Sequence, residues 1–260
     1  MYEMPCRIRF SETDRSGRLS MNGLLRLFQD CGYNHAIDRG YGLAYTEKTH
    51  CTWYLLSWQI EARKMPLVGE KVMLRTWIYD MQASIARKSI AMYDNNGECL
   101  ATGDTMWVYM DVHRQEPVVP QESVAYRENE YIQGKSENGI QEGWCQADFG
   151  EKLSLSVRSR RITLPDDMEV LNPCRINPYL IDTNGHANNV RLTELAMSLT
   201  GVDDGNLRQL RAEFKKQVKA DSFIYPYIKE SHHNDDNVIT AAFRDEYGDT
   251  LTVFEFIRPC

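Results

Sequence analysis

Apolar residues fall at helical spacing in two widely separated places along the chain, each followed by runs that read as strands joined by tight turns. Leu24, Leu25, Leu27 and Phe28, with Cys31 one turn later, make a broad apolar face, which predicts a helix packed into a core. Leu192 and Leu195 repeat Leu24 and Leu27 at the same spacing. Further on, Asp94-Asn95-Asn96-Gly97 tolerates positive φ between two strand-like runs, 85–93 and 99–112, and predicts a hairpin. The runs 238–244 and 250–257 echo that hairpin, and strands around Trp58 and Trp77 precede it.

The echo is a repeat of the whole unit. Cys6-Arg7-Ile8 and Asp14-Arg15-Ser16-Gly17-Arg18 return as Cys174-Arg175-Ile176 and Asp182-Thr183-Asn184-Gly185-His186, at an offset of 168. Glu61-Ala62-Arg63-Lys64 returns as Glu213-Phe214-Lys215-Lys216 at 152, and Asp94, Gly97 and Leu100 return as Asp245, Gly248 and Leu251 at 151. The drop from 168 to 152 places sixteen extra residues in the first copy, which fit a loop around Gly40 to His50. A single helix against an antiparallel sheet buries its stripe only if the sheet curls round it. The expected class is therefore α+β, built twice. Pro117, Pro120 and the polar stretch 134–150 mark the connection, with a helix expected from Gln121 onward after Pro120. These signals divide the chain into a first unit over 1–133, a connection over 134–152 and a second unit over 153–260.

Composition narrows the setting. With 260 residues and 42% hydrophobic content the chain can bury a duplicated core. It has no apolar run of the roughly 20 residues that span a bilayer, and its N-terminus has no basic stretch followed by an apolar segment. Seven cysteines without a C-x-x-C pair suggest free thiols in a reducing cytoplasm. A net charge of -7 argues against nucleic acid as the main partner. Two basic clusters, Arg208, Arg211, Lys215, Lys216 and Lys219, and Arg158, Arg160 and Arg161, could dock an acidic partner or simply be solvated charge.

Only the second copy has Asn and His in the repeated loop, and this asymmetry points to chemistry at one of the two sites. Asp182, Asn184 and His186 put a carboxylate, an amide and an imidazole just ahead of a helix starting near Asn188 and Asn189. Those groups can take a proton from water, hold it and polarise an acyl carbonyl, and free N–H groups at the helix start could stabilise an oxyanion. The alternative is that Asp182, which matches Asp14, simply caps the turn. His232-His233 with Asn234-Asp235-Asp236-Asn237 fits a solvated hairpin turn better than a metal site, and His35, His50 and His113 carry no repeat partner or ligand spacing. Without a glycine-rich phosphate loop, a Gly-x-Ser-x-Gly elbow or a zinc motif, no cofactor or metal is implied.

The run Tyr179 to Val190, with Asp182, Asn184, His186, Asn188 and Asn189, resembles the D-x-N-x-H-x-N-N signature of the acyl-acyl carrier protein (acyl-ACP) thioesterases of bacteria and plant plastids. The resemblance extends to Arg9-Phe10-Ser11-Glu12-Thr13-Asp14 and Gly17, to Trp58, and to Ala212-Glu213-Phe214-Lys215-Lys216 followed by Asp221-Ser222. It implies a tandem hotdog fold, each unit a long helix wrapped by a curved antiparallel sheet. It also implies hydrolysis of fatty acyl-ACP to free fatty acid and holo carrier, with the acyl tail in the first unit and acyl carrier protein, itself acidic, as partner. By this resemblance Asp182 is base or nucleophile, Asn184 holds the water or oxyanion, and His186 donates a hydrogen bond or protonates the thiolate. The chain departs from the plant pattern, which has Glu and then Cys after the basic pair, by carrying Gln217 and Val218 there. A thiol nucleophile is excluded at that position, and Gln217 can orient a water but cannot deprotonate it. Acyl-CoA hydrolysis, a non-catalytic acyl-binding module and a homodimer stay open at this level.

Overall fold

The computed structural model describes residues 1–120, 134–135, 141–142, 144, 146–155, 161–202, 207–233 and 236–259. The first half runs β1 (Tyr2–Arg7), α1 (Met21–Asp38), α2 (Leu43–Thr49), β2 (Cys51–Ala62), β3 (Lys71–Gln82), β4 (Ile85–Tyr93) and β5 (Cys99–Asp111). The second runs β6 (Cys174–Arg175), α3 (Asn189–Thr200), β7 (Gln209–Phe214), β8 (Phe223–His233), β9 (Asp236–Arg244) and β10 (Thr250–Pro259). These ten strands form one antiparallel sheet in the order β1-β3-β4-β5-β2-β7-β10-β9-β8-β6. Reading from either end gives the same sequence of repeat partners, which is a tandem hotdog with the two units joined through β2 and β7.

The repeat is visible in individual contacts. Where β2 meets β7, Glu61 pairs with Gln209 and Ser57 with Glu213, and between them Gln59 faces its own repeat partner, Arg211. In the helix layer Arg26 Nε donates to Glu194 Oε1 at 2.8 Å, and these residues are also repeat partners. A pseudo-two-fold axis therefore passes through both layers. The predicted hairpins form on matching turns, with Gly97 N–H donating to Asp94 O and Gly248 N–H to Asp245 O, each at 3.1 Å. Gly97 and Gly248 take φ of 81° and 84°, a region costly for other residues.

Each helix is fixed by its start. Ser20 caps α1 by accepting the Gly23 N–H, and its repeat partner Asn188 caps α3 by accepting from Val190 and Arg191. Gly23 has no room for a side chain, since a Cβ there would sit 2.4 Å from Glu12 O. The expected stripe of α1 is buried: Leu24, Leu25, Leu27, Phe28 and Cys31. Val190, Leu192, Ala196 and Met197 do the same on α3, and both stripes pack on one core that includes Trp58, Phe214 and Phe254.

Two sequence readings need correcting. The sixteen extra residues do not form a loop: they lengthen α1 beyond the end of α3 and then form α2. The short helix has a surface to lie on, because the Tyr45 hydroxyl is 2.6 Å from the Tyr109 hydroxyl of β5 and the Tyr41 and Tyr45 rings meet at 5.2 Å. Nor do the five basic residues from Arg208 to Lys219 form one basic face. Arg211 is buried on central strand β7 with its Nε 2.9 Å from Glu255 Oε1, and Arg208, Lys215 and Lys216 pair with Asp236, Glu213 and Asp249.

The helix expected from Gln121, together with Arg158 and Arg160, lies outside the described residues. The described part of the connection packs on the first unit. Phe149 bridges Ile78 in parallel, Gly150 N–H donates to Ile78 O at 2.9 Å, and Trp77 Nε1 donates to Glu151 O at 2.6 Å. Among the described residues no helix is long and apolar enough to cross a membrane.

Candidate active site

The loop between β6 and α3 is closed by its own backbone. Asp182 N–H donates to His186 O at 2.8 Å, Gly185 N–H to Asp182 O at 3.0 Å, and Asn184 N–H to Asp182 Oδ1 at 2.8 Å. The first copy makes the same bonds: Asp14 N–H to Arg18 O, Gly17 N–H to Asp14 O, and Ser16 N–H to Asp14 Oδ1. Asp182 thus has the turn-closing role that its match to Asp14 suggests. What differs is cargo, because the same scaffold presents Ser16 and Arg18 in one copy and Asn184 and His186 in the other.

The loop is held against neighbouring segments. Ala187 N–H donates to Val218 O at 2.7 Å and His186 bridges Lys219, which brings the 215–222 segment alongside. Gln217 is therefore carried next to the loop by the backbone, half-exposed, with no side-chain hydrogen bond among the described residues. Val218, standing where the plant pattern has Cys, is 3% exposed and belongs to the core. The helix start is not an open oxyanion site, since the Asn188 side chain already takes the Val190 and Arg191 N–H groups. Asn188 Nδ2 also donates to Gln29 Oε1 of α1 at 3.0 Å, tying the loop to the first unit. The exposed Asn184 side chain remains as a free amide donor.

Across the loop stands the first unit. The Tyr54 ring of β2 meets the His186 ring edge-on at 6.2 Å. The Tyr33 and Tyr54 phenols are both pushed up, first by burial and then by the negative charge of Asp182. β7 pairs with β2 only over Ser57 to Glu61, so beyond Ser57 the two central strands separate and leave a seam where Tyr54 lies. The half-buried His186 imidazole is held below its ordinary value, by burial first and by the Lys219 charge, with Asp182 opposing. Its Nδ1 is buried without a hydrogen-bond partner among the described residues, which leaves an unsatisfied polar atom on the ring that meets Tyr54. Tyr33, Tyr54, Gln29 and Lys219 were not singled out as site residues by the sequence; only the pseudo-two-fold packing of one unit on the other could have brought the first three forward.

The acyl-ACP thioesterase N-terminal domain matches residues 1–126. A comparison with curated protein sequences gives no match. Among solved structures the chain is similar to the 12:0-ACP thioesterase of Umbellularia californica, at 16% identity and a TM-score of 0.77, covering 100% of this chain and 97% of that one. It is also similar to an acyl-ACP thioesterase from Bacteroides thetaiotaomicron, at 18% identity and a TM-score of 0.71, covering 98% and 96%. Those likenesses establish the fold over both units, and the sequence match assigns residues 1–126 to the acyl-ACP thioesterase N-terminal domain.

Proposed function

We propose that this protein hydrolyses fatty acyl-ACP, releasing the free fatty acid and the holo carrier protein, at the seam between the 182–186 loop and the first unit. The observation that carries the proposal is the asymmetry of two otherwise superimposable loops. The copy with carboxylate, amide and imidazole faces Tyr54, and its His186 Nδ1 lacks a partner among the described residues. In this reading the second unit (153–260) supplies the chemistry, the first (1–133) receives the acyl tail, and 134–152 connects them. The free Cys6, Cys31, Cys51, Cys99 and Cys174 fit a reducing cytoplasm.

The reaction needs one water. Asp182 takes a proton from it as its oxygen attacks the thioester carbonyl carbon, and Asn184 holds the oxygen that becomes negative. When the tetrahedral species collapses the C–S bond breaks, and the proton passes through the His186 ring to the departing thiolate. The products are a carboxylic acid and a thiol. Gln217, beside the loop, orients the water without deprotonating it.

Thiol release from acyl-ACP and from acyl-CoA at equal chain length tests the donor. A kcat/KM at least tenfold higher on acyl-ACP is expected. Equal or higher values on acyl-CoA overturn the carrier assignment, and release from neither donor overturns the enzymatic reading.

A further inference from the structure

A polar cluster lies deep inside the first unit, outside the machinery described above. On the buried face of α1 the apolar series Leu24, Phe28, Cys31 ends at His35, which has 0% exposure. His35 Nε2 lies 2.9 Å from Asp148 Oδ1, a carboxylate carried in by the connection and itself fully buried. Arg39 grips the same carboxylate through Nε at 2.6 Å and Nη2 at 2.7 Å. From the opposite wall, Lys88 of β4 reaches His35 Nδ1 at 3.2 Å, and its ammonium sits 5.0 Å from the Trp144 ring centre. The tautomer follows: the His35 proton is on Nε2 toward Asp148, and Nδ1 accepts from Lys88.

Asp148 pairs with Arg39 and with the neutral His35, while Lys88, 5% exposed, forms no ion pair among the described residues. Around it stand aromatic rings: Trp144 stacks on Tyr41 at 5.3 Å, and Trp53 meets Tyr109 at 5.1 Å and Trp144 at 6.5 Å. The indole N–H groups of Trp53 and Trp144 are both buried without an acceptor among the described residues. A buried cation and two buried N–H donors without acceptors are costly in an apolar enclosure, and all three lack the same thing, an electron-rich oxygen. Apolar walls with a few convergent donors are the composition of a ligand site. Trp53 is the next residue on β2 to Tyr54, so the enclosure and the seam lie on the two faces of one stretch of strand that β7 does not pair.

We propose that this enclosure binds an oxygen carried on the acyl chain beyond the thioester, a ketone or carboxylate oxygen that accepts hydrogen bonds from Lys88 Nζ and the indole N–H groups of Trp53 and Trp144. The inference deepens the thioesterase reading and rests on the acyl tail entering the first unit. The preferred substrates are then oxygenated acyl chains, and plain chains are the poorer ones.

The test is thiol release from a set of acyl-ACPs of one length, the unmodified chain against chains with a ketone at successive positions and one ending in a carboxylate. At least one oxygenated member is expected to exceed the plain chain tenfold or more in kcat/KM. In Lys88→Met that ratio falls to about one, and Trp53→Phe and Trp144→Phe, which keep a ring and lose the N–H, each lower it severalfold. The Trp variants carry the test if Lys88→Met does not fold. A wild type that hydrolyses the plain chain as well as every oxygenated one overturns this inference and leaves the thioesterase reading standing, as does a ratio unchanged in the variants. Release from no member overturns the thioesterase reading itself.

Discussion

The two matched loops supply their own control for the carboxylate. In Asp182→Asn the side chain keeps an oxygen where Asp182 Oδ1 accepts the Asn184 N–H at 2.8 Å, so the turn still closes while the proposed base is gone. Asp14→Asn makes the same change in the first copy, where Asp14 Oδ1 accepts from Ser16 N at 2.8 Å and Arg18 N at 3.1 Å. Exchanging a charge-assisted hydrogen bond for a neutral one in a solvent-facing turn costs about 1 kcal/mol. Both variants are therefore expected to melt within a few degrees of the wild type and of each other. Loss of a general base lowers the rate by roughly 10²- to 10⁴-fold, or about 3–5 kcal/mol of barrier. Steady-state thiol release from acyl-ACP should show that loss in kcat for Asp182→Asn alone. Equal kcat in the two variants, whether both lowered or both intact, refutes the argument that the scaffold is shared and the chemistry is not.

Three further outcomes follow from the same geometry. Because burial and Lys219 hold the His186 imidazole below 6.5, its neutral form persists as pH falls past that value, so the acid limb of kcat/KM lies below pH 6.5. Lys219→Met moves it upward, and a limb at or above 6.5 in the wild type contradicts the assignment. His35 is lowered to about 4, by burial first and then by Lys88, so its contribution to stability is complete above pH 6.5 and is lost as pH falls toward 4. The loss is on the order of 3 kcal/mol at most, and urea midpoints at pH 7 and 4.5 for wild type and His35→Gln should show the wild type losing more. Gln217→Glu places a second carboxylate beside the water and should raise kcat severalfold, with Gln217→Ala lowering it about tenfold; a kcat unmoved by both takes Gln217 out of the water's path.

Local chemistry was legible in the sequence and distant convergence was not. The Asp94 and Asp245 turns, the α1 stripe and the offset of 168 are carried by residues near one another in the chain, and each appears in the fold where its pattern puts it. Arg211 read as surface charge because its neighbours are basic, yet the middle of a sheet joined on both sides buries polar residues such as Gln59, Arg211 and Glu255 against each other. His35 showed no ligand spacing because its partners, Lys88 and Asp148, come from a strand and from the connection. Tyr54 carried no signal in the sequence, and only the pairing of β2 with β7 brings it to the 182–186 loop. Asn184 and His186 stood out because duplication provides a reference copy in which Asp182 recurs as Asp14 while they are replaced by Ser16 and Arg18.

The most direct measurement is a crystal structure with an acyl-pantetheine analogue in which a methylene replaces the thioester sulfur, leaving the carbonyl intact and uncleavable. The account predicts the carbonyl carbon between the 182–186 loop and Tyr54, its oxygen within hydrogen-bond reach of Asn184, and the tail running into the first unit. A carbonyl bound at the 14–18 loop, or a tail lying in the second unit, contradicts it.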